Sequence, residues 1–292
     1  MKNKKIINIY VCVLMLLFVF PLISRQAAPL EIEKVAGNVY CLYGPGGNIG
    51  ILKTDVGILV IDSKYFRVAE KVMAKISKLS PQPVKYLVNT HYHGDHTGGN
   101  EVVGRNAQII AHSNCKISLI GSLKAQKIKA GYTAGITTFD KEMKLKLGDE
   151  NVELRYMGPA HTAGDTIVVF EKAGVIHTGD LFFNGLPPYI DVKDGSDTGN
   201  WIKIIEELHK EYPDYTVIPG HGKVTDMKAF LKFADYLGFL RKEVAAAIKA
   251  GKTKEQVMAE INFGSFKDIE DKGFLSKKSN VGWVYDEMTR VK

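Results

Sequence analysis

Short apolar runs broken by Gly, Asp and Pro open the body of the chain: "NVYCLYG", "NIGILKT" and "GILVIDS" read as β-strands. Apolar positions at helical spacing follow over residues 65–79, and "SPQP" closes that helix. Next, "VKYLVNT" is rich in β-forming residues and runs directly into "HYHGDHTGGN". The alternation then repeats in kind. A strand "AQIIAH" precedes a helical stretch over residues 113–130, and three further strands are "VELRYMG", "DTIVVFE" and "GVIHTGD". A Gly/Pro-rich loop, "NGLPPYIDVKDGSDTG", leads to a helix over 201–211, a strand "YTVIPGHG" and a long helix over 228–250. Strands with helices between them, in two similar halves, predict an α/β (α+β) fold of sheets sandwiched by helices. Helical pieces over 254–261 and near Tyr285 predict that residues 251–292 form a C-terminal extension packed on a domain of residues 29–250. The tail aromatics Phe263, Phe266, Phe274, Trp283 and Tyr285 are expected to pack on the body.

The start of the chain follows a different pattern. A basic opening with Lys2, Lys4 and Lys5 precedes an apolar stretch from Ile9 to Phe20, then Pro21 and small or polar residues. Residues 1–28 therefore read as a secretory signal peptide cleaved near Gln26, Ala27 and Ala28. The uncharged run from Ile6 to Ile23 is also long enough to span a bilayer, so the alternative is an N-terminal anchor. Either way the basic start stays cytoplasmic and the body is exported, to the periplasm or beyond the cell.

Composition adds limits. With 292 residues, 45% hydrophobic and 24% charged, the chain can bury one large core and is not a disulfide-stapled miniprotein. Cys12 lies in the apolar start, while Cys41 and Cys115 stand far apart and read as ordinary thiols. The formal charge is +7, but four cations precede the first acid, Glu31, and without them the body carries +3. No basic stripe interleaves with aromatics, so nucleic acid is not the expected partner; a small molecule is. Membrane contact is expected only through an uncleaved N-terminal segment.

Three histidines and an aspartate within six positions, His91, His93, Asp95 and His96, can be a polar loop or a metal site. Downstream, His161, Asp180 and His221 each stand at a strand-loop junction beside glycine, as a site assembled from several loops on one rim requires. His91 and His93 can reach one ion from one face, completed by His161. Asp95, His96 and His221 offer a second set, and Asp180 is free to bridge, since two cations a few ångströms apart need an anion between them. His112, His177 and His209 read as structural residues, on a helix start, a strand and the polar face of a helix.

The ordered motifs HxHxDH, His, Asp and His, with an early Asp62 in "LVIDS", resemble the metallo-β-lactamase fold superfamily over residues 35–224. More narrowly, "HTGDLFFN…PYID" resembles an exported branch. The resemblance implies an αββα sandwich and a dinuclear centre of two Zn2+ per chain, with iron or manganese as other tenants, held by His91, His93, Asp95, His96, His161, Asp180 and His221. It gives Asp62 a supporting role. The hairpin "YGPGGNIG" is either an ordinary turn or a flap near the metals. The implied chemistry is hydrolysis of a thioester, lactone, ester or amide by water activated between two cations. Asp95 then manages the proton and Tyr189, in a loop wall with Asn184, Pro187 and Pro188, donates to the oxyanion. The alternatives are a β-lactamase proper or an iron oxidoreductase of the same fold. Against a flavodiiron version, position 93 is His where that branch carries Glu, and no flavodoxin-like domain follows. In the lactamase branches the position matched by Asp180 is usually Cys or Ser, which turns the expectation toward esters.

Overall fold

The structure, a computed structural model, describes residues 29–267 and 269–290. The segment that carries the export reading lies outside them. No helix among the described residues is long and apolar enough to cross a membrane.

Two sheets stack face to face. The first holds β1 (Glu31–Ala36), β2 (Val39–Tyr43), β3 (Ile49–Lys53), β4 (Ile58–Ile61), β5 (Val84–Asn89), β6 (Gln108–His112) and β7 (Thr137–Phe139), in sequence order. Its first four strands form an antiparallel meander, and β4 to β7 run parallel. Parallel neighbours need a crossover, supplied by α1 (Ala69–Leu79), by the short α2 (Gly94–Thr97) and α3 (Asn100–Val103), and by α4 (Ser113–Ala125). The second sheet holds β8 (Glu142–Leu147), β9 (Glu150–Arg155), β10 (Ile167–Phe170), β11 (Val175–Phe183), β12 (Thr216–His221) and β13 (Thr225–Asp226), in the order β13-β12-β11-β10-β9-β8. Its parallel pair β11 and β12 is joined by α5 (Thr198–Glu211). The chain then forms α6 (Met227–Lys249), α7 (Lys254–Glu260) and α8 (Lys277–Thr289).

The period of two along each strand builds the layers. In β4, Ile58 and Val60 point outward to Val72 and Ile76 of α1, while Leu59 and Ile61 point inward. In β10, Val168 and Phe170 meet the same inner layer, while Ile167 and Val169 face the cluster of Trp201, Ile205, Phe230 and Leu237 on α5 and α6. Both faces of the central strands are apolar, as strands covered on both sides must be. The result is the αββα sandwich expected from the sequence.

Some elements differ from the sequence reading. The helix at 113 ends at Ala125, ahead of Lys127, which takes a left-handed conformation with φ of 58°. The helix expected at 201 begins at Thr198, because the Asp197 side chain accepts from the Asn200 amide and caps it. Strands β1 and β8, "EIEKVA" and "EMKLKL", were not expected: their exposed faces carry Glu and Lys, so their apolar content is low. Both sit at sheet edges, where outward charge discourages pairing with another chain.

Candidate metal centre

All seven expected donors meet at one rim of the sandwich. The loop after β5 carries His91 and His93, α2 carries Asp95 and His96, and the loop after β9 carries His161; Asp180 lies within β11, not at the strand-loop junction expected of it, and His221 ends β12. They form two clusters, His91, His93, His161 and Asp180 in one, Asp95, His96 and His221 in the other. His93 Nδ1 lies 3.1 Å from both His91 Nε2 and His161 Nε2. His221 Nε2 lies 3.3 Å from Asp95 Oδ2 and 3.5 Å from His96 Nε2. Donors about 2.0–2.1 Å from a tetrahedral zinc stand roughly 3.3 Å from one another, so both clusters have the right span.

Asp180 joins the two. Its Oδ2 lies 3.5 Å from His161 Nε2 and 3.7 Å from His91 Nε2, whereas Oδ1 lies 3.0 Å from His96 Nε2 and 3.4 Å from His221 Nε2. Oδ1 is buried and accepts no hydrogen bond, although two imidazole nitrogens are that near. A buried carboxylate oxygen left in this way fits a cation between the three atoms. The donor set therefore fits divalent ions on either side of Asp180.

The far ring nitrogens are held as metal-ligating histidines usually are. His91 Nδ1 is 3.0 Å from Thr90 Oγ1, His93 Nε2 is 2.9 Å from Asp191 Oδ2, His161 Nδ1 donates to the Tyr189 carbonyl at 2.8 Å, and His96 Nδ1 is 2.7 Å from Asp62 Oδ2. Asp62 has a left-handed backbone, φ 66°, and is anchored by the Thr90 amide and hydroxyl, each at 2.8 Å. It thus supports His96 from behind, as expected. Burial pushes the His91 imidazole well below its ordinary range and His161 down to about 4, leaving both neutral and ready to ligate. Burial works the same way on His221, but the Asp180 charge outweighs it and raises that ring to about 9.

The sequence matches the metallo-beta-lactamase superfamily model over residues 43–221. The chain belongs to that superfamily. Its members are mostly metal-dependent hydrolases. Among curated relatives, the chain is 25% identical over 189 residues to the metallo-beta-lactamase type 2 of Bacillus sp. (strain 170), covering 64% of this chain and 71% of that one. It is 25% identical over 224 residues to the metallo-beta-lactamase type 2 of Elizabethkingia meningoseptica, covering 73% and 87%. It is 27% identical over 193 residues to the alpha subunit of the 2,4-dinitroanisole O-demethylase of Nocardioides sp. (strain JS1661), covering 65% and 56%. Similar solved structures are a metallo-beta-lactamase from Pontibacter korlensis, with TM-score 0.62, 22% identity and 72% and 99% of the two chains covered. The sec-alkylsulfatase Pisa1 from Pseudomonas sp. superimposes with TM-score 0.72 at 16% identity over 89% and 50%.

Within this superfamily fold the remaining expectations find places. The hairpin of residues 44–48 lies against the centre: the Gly47 amide donates to the Asp95 carbonyl at 3.0 Å and the Asn48 amide to the Gly220 carbonyl at 2.7 Å. The turn is thus also a wall of the site. Tyr189 brings its ring centroid to 5.4 Å from that of His93. His112 caps α4 by accepting from the Asn114 amide and stacks on Tyr156, His177 is buried on β11 outside both clusters, and His209 is half-buried on α5. Phe263, Phe266, Trp283 and Tyr285 pack on the second core as expected, but Phe274 is 69% exposed. It sits at the edge of Tyr189, with the centroids 6.1 Å apart, so the tail borders the site loop. Sequence reasoning missed Thr90 and Asp191. The second stands in the quoted "PYID", yet nothing in its spacing showed that it meets a histidine 98 positions away.

Proposed function

We propose that this chain is an exported dinuclear zinc hydrolase that cleaves a thioester, lactone or ester bond in preference to a β-lactam. The observation that carries the reading is Asp180, whose two oxygens are divided between the two donor clusters. Asp180 Oδ2 with His91, His93 and His161 would hold one ion, and Oδ1 with Asp95, His96 and His221 the other. Two such ions supply Lewis acidity that activates water near neutral pH and polarises a carbonyl.

The protein's own groups do the rest. In the metal-free chain burial raises the Asp95 carboxyl, but the charge of His96 and the hydrogen bond from His221 prevail and hold it down at about 2; bound cations would favour the carboxylate in the same sense. As a base beside the attacking water, Asp95 takes the proton and returns it to the leaving thiolate or alkoxide. The Tyr189 phenol, pushed up by burial, keeps its proton and can donate to the carbonyl oxygen as charge develops there. Leaving amines need more help than thiolates, and an Asp where lactamases usually carry Cys or Ser alters the charge at the second ion. The names of the two 25% identical relatives favour β-lactams as a second reading.

Metal analysis and a substrate panel test this. About two equivalents of zinc per chain are expected, with kcat/KM highest on a glutathione thioester, an acyl lactone or a nitrophenyl ester. A single equivalent at saturation sinks the dinuclear reading. A cephalosporin, penicillin or carbapenem ahead of every ester by more than about tenfold, roughly 1.4 kcal/mol, makes the chain a β-lactamase. Retained iron without hydrolysis of any substrate favours an oxidoreductase.

A further inference from the structure

A cavity of about 590 Å³ opens beside the histidine loop, between residues 65–67 ahead of α1, the α2 turn, and α4 with the loop after it. Its walls are mainly Tyr65, Tyr92, Leu119, Leu123, Ile128 and Tyr132. The Tyr92 hydroxyl is already given to Asp191 at 2.5 Å, so that residue presents its ring. The Arg67 Cζ lies over Tyr65, 4.3 Å from the ring centroid, and Glu101 is the one acid of the lining. Phe66 and Ile128, at the rim, are 66% and 50% exposed, an apolar surface that water covers at a cost.

The cavity abuts the histidine loop: Tyr92 lines it, and its ring centroid is 4.6 Å from that of His93. Gly94 also lines it and is the single residue between His93 and Asp95; a Cβ there would meet nothing within 4 Å, so no side chain fills the space beside this residue. Tyr65 lines it as well and packs on Gly46 of the hairpin wall. The volume falls in the range of small-molecule pockets, and an apolar lining with few charges selects apolar groups.

We propose that this cavity receives the acyl part of the substrate, and that preferred substrates are esters or thioesters of medium-chain acids. The assignment rests on the hydrolase reading above. With the acyl carbon over the metal donors, the chain passes across Gly94 and is buried between Tyr65, Leu123 and Tyr132. Attack by water at the acyl carbon then forms the carboxylic acid and breaks the bond to the departing alcohol or thiol, which takes the proton.

The test uses zinc-loaded protein, nitrophenyl esters from acetyl to decanoyl, and calorimetric titration with octanoate and acetate. Each buried methylene should raise kcat/KM about fourfold up to the octanoyl ester. Ser122→Trp, which fills the cavity from a half-exposed position of α4, and Ile128→Glu should each bring the octanoyl ester down to the rate of the acetyl ester in the same variant, with zinc content unchanged. Octanoate should bind the wild type at least tenfold more tightly than it binds Ser122→Trp, and acetate should show no such difference. Octanoate binding lost in the variant, with no ester hydrolysed, keeps the pocket and removes the hydrolase reading. Hydrolysis that ignores chain length, with octanoate bound equally by both proteins, overturns the pocket.

Discussion

Gly47 shows how tightly the centre is enclosed. A Cβ at this position would stand 2.1 Å from His96 Cε1 and 2.3 Å from its Nε2, so only hydrogen fits. Gly47→Ala is therefore expected to push His96 from the second cluster, lowering bound zinc from two equivalents toward one and turnover roughly hundredfold. Full zinc content with wild-type turnover would refute the enclosure. The seven donors were legible in the sequence because they stand in short ordered motifs near glycines, although Asp180 lies within β11 and not at its end, and Asp95 and His96 lie on α2. Thr90 and Asp191 were not, since a side chain that orients a ligand needs only proximity in space, and proximity across a loop leaves no period.

At the level of elements, the tail is a brace for the site. Asn280 of α8 is fully buried; its amide donates to the Pro188 carbonyl at 2.6 Å and its oxygen accepts from the Tyr236 hydroxyl at 2.8 Å. Arg290 donates to the Val192 carbonyl at 3.0 Å, and Trp283 meets Tyr189 edge-on with centroids 5.0 Å apart. The loop so fixed is the one whose Tyr189 carbonyl and Asp191 carboxylate hold His161 and His93. Asn280→Ala strands two buried polar groups, at a cost of about 1–3 kcal/mol. It should also weaken zinc about tenfold at the His91, His93 and His161 cluster, measured by competition with a chelator. Unchanged affinity would reduce α8 to a packing element. The sequence disclosed that α8 exists but not this task, because Asn280 lies 92 residues from the carbonyl it holds. Conversely, the central strands were plain from their unbroken apolar runs, and the edge strands β1 and β8 were hidden by their charge.

For the molecule as a whole, Asp165 links stability to pH. Its carboxyl is buried and pushed up to about 8, by burial first and also by the charges of Asp180 and Asp194, against the hydrogen bonds from Thr162. The folded chain thus keeps a proton that the unfolded chain releases above about pH 4. This contribution is complete below that pH and is lost as pH rises to 8. In chelated protein, the difference in unfolding free energy between wild type and Asp165→Asn should change across that window, by up to about 1.4 kcal/mol per pH unit. A difference constant with pH would mean that Asp165 is ionised throughout.

The placement of Asp180 and His221 on one sheet, opposite the histidine loop of the other, makes the centre a rivet. Neither sheet alone carries a complete set of donors, so a chain whose halves have not yet docked offers an ion only a partial grip. Binding therefore rewards the finished sandwich, by RT ln(1 + [L]/Kd), or about 2.7 kcal/mol at a hundredfold excess over Kd. The supply of metal outside the chain would then govern how long the fold lasts as well as how fast it works.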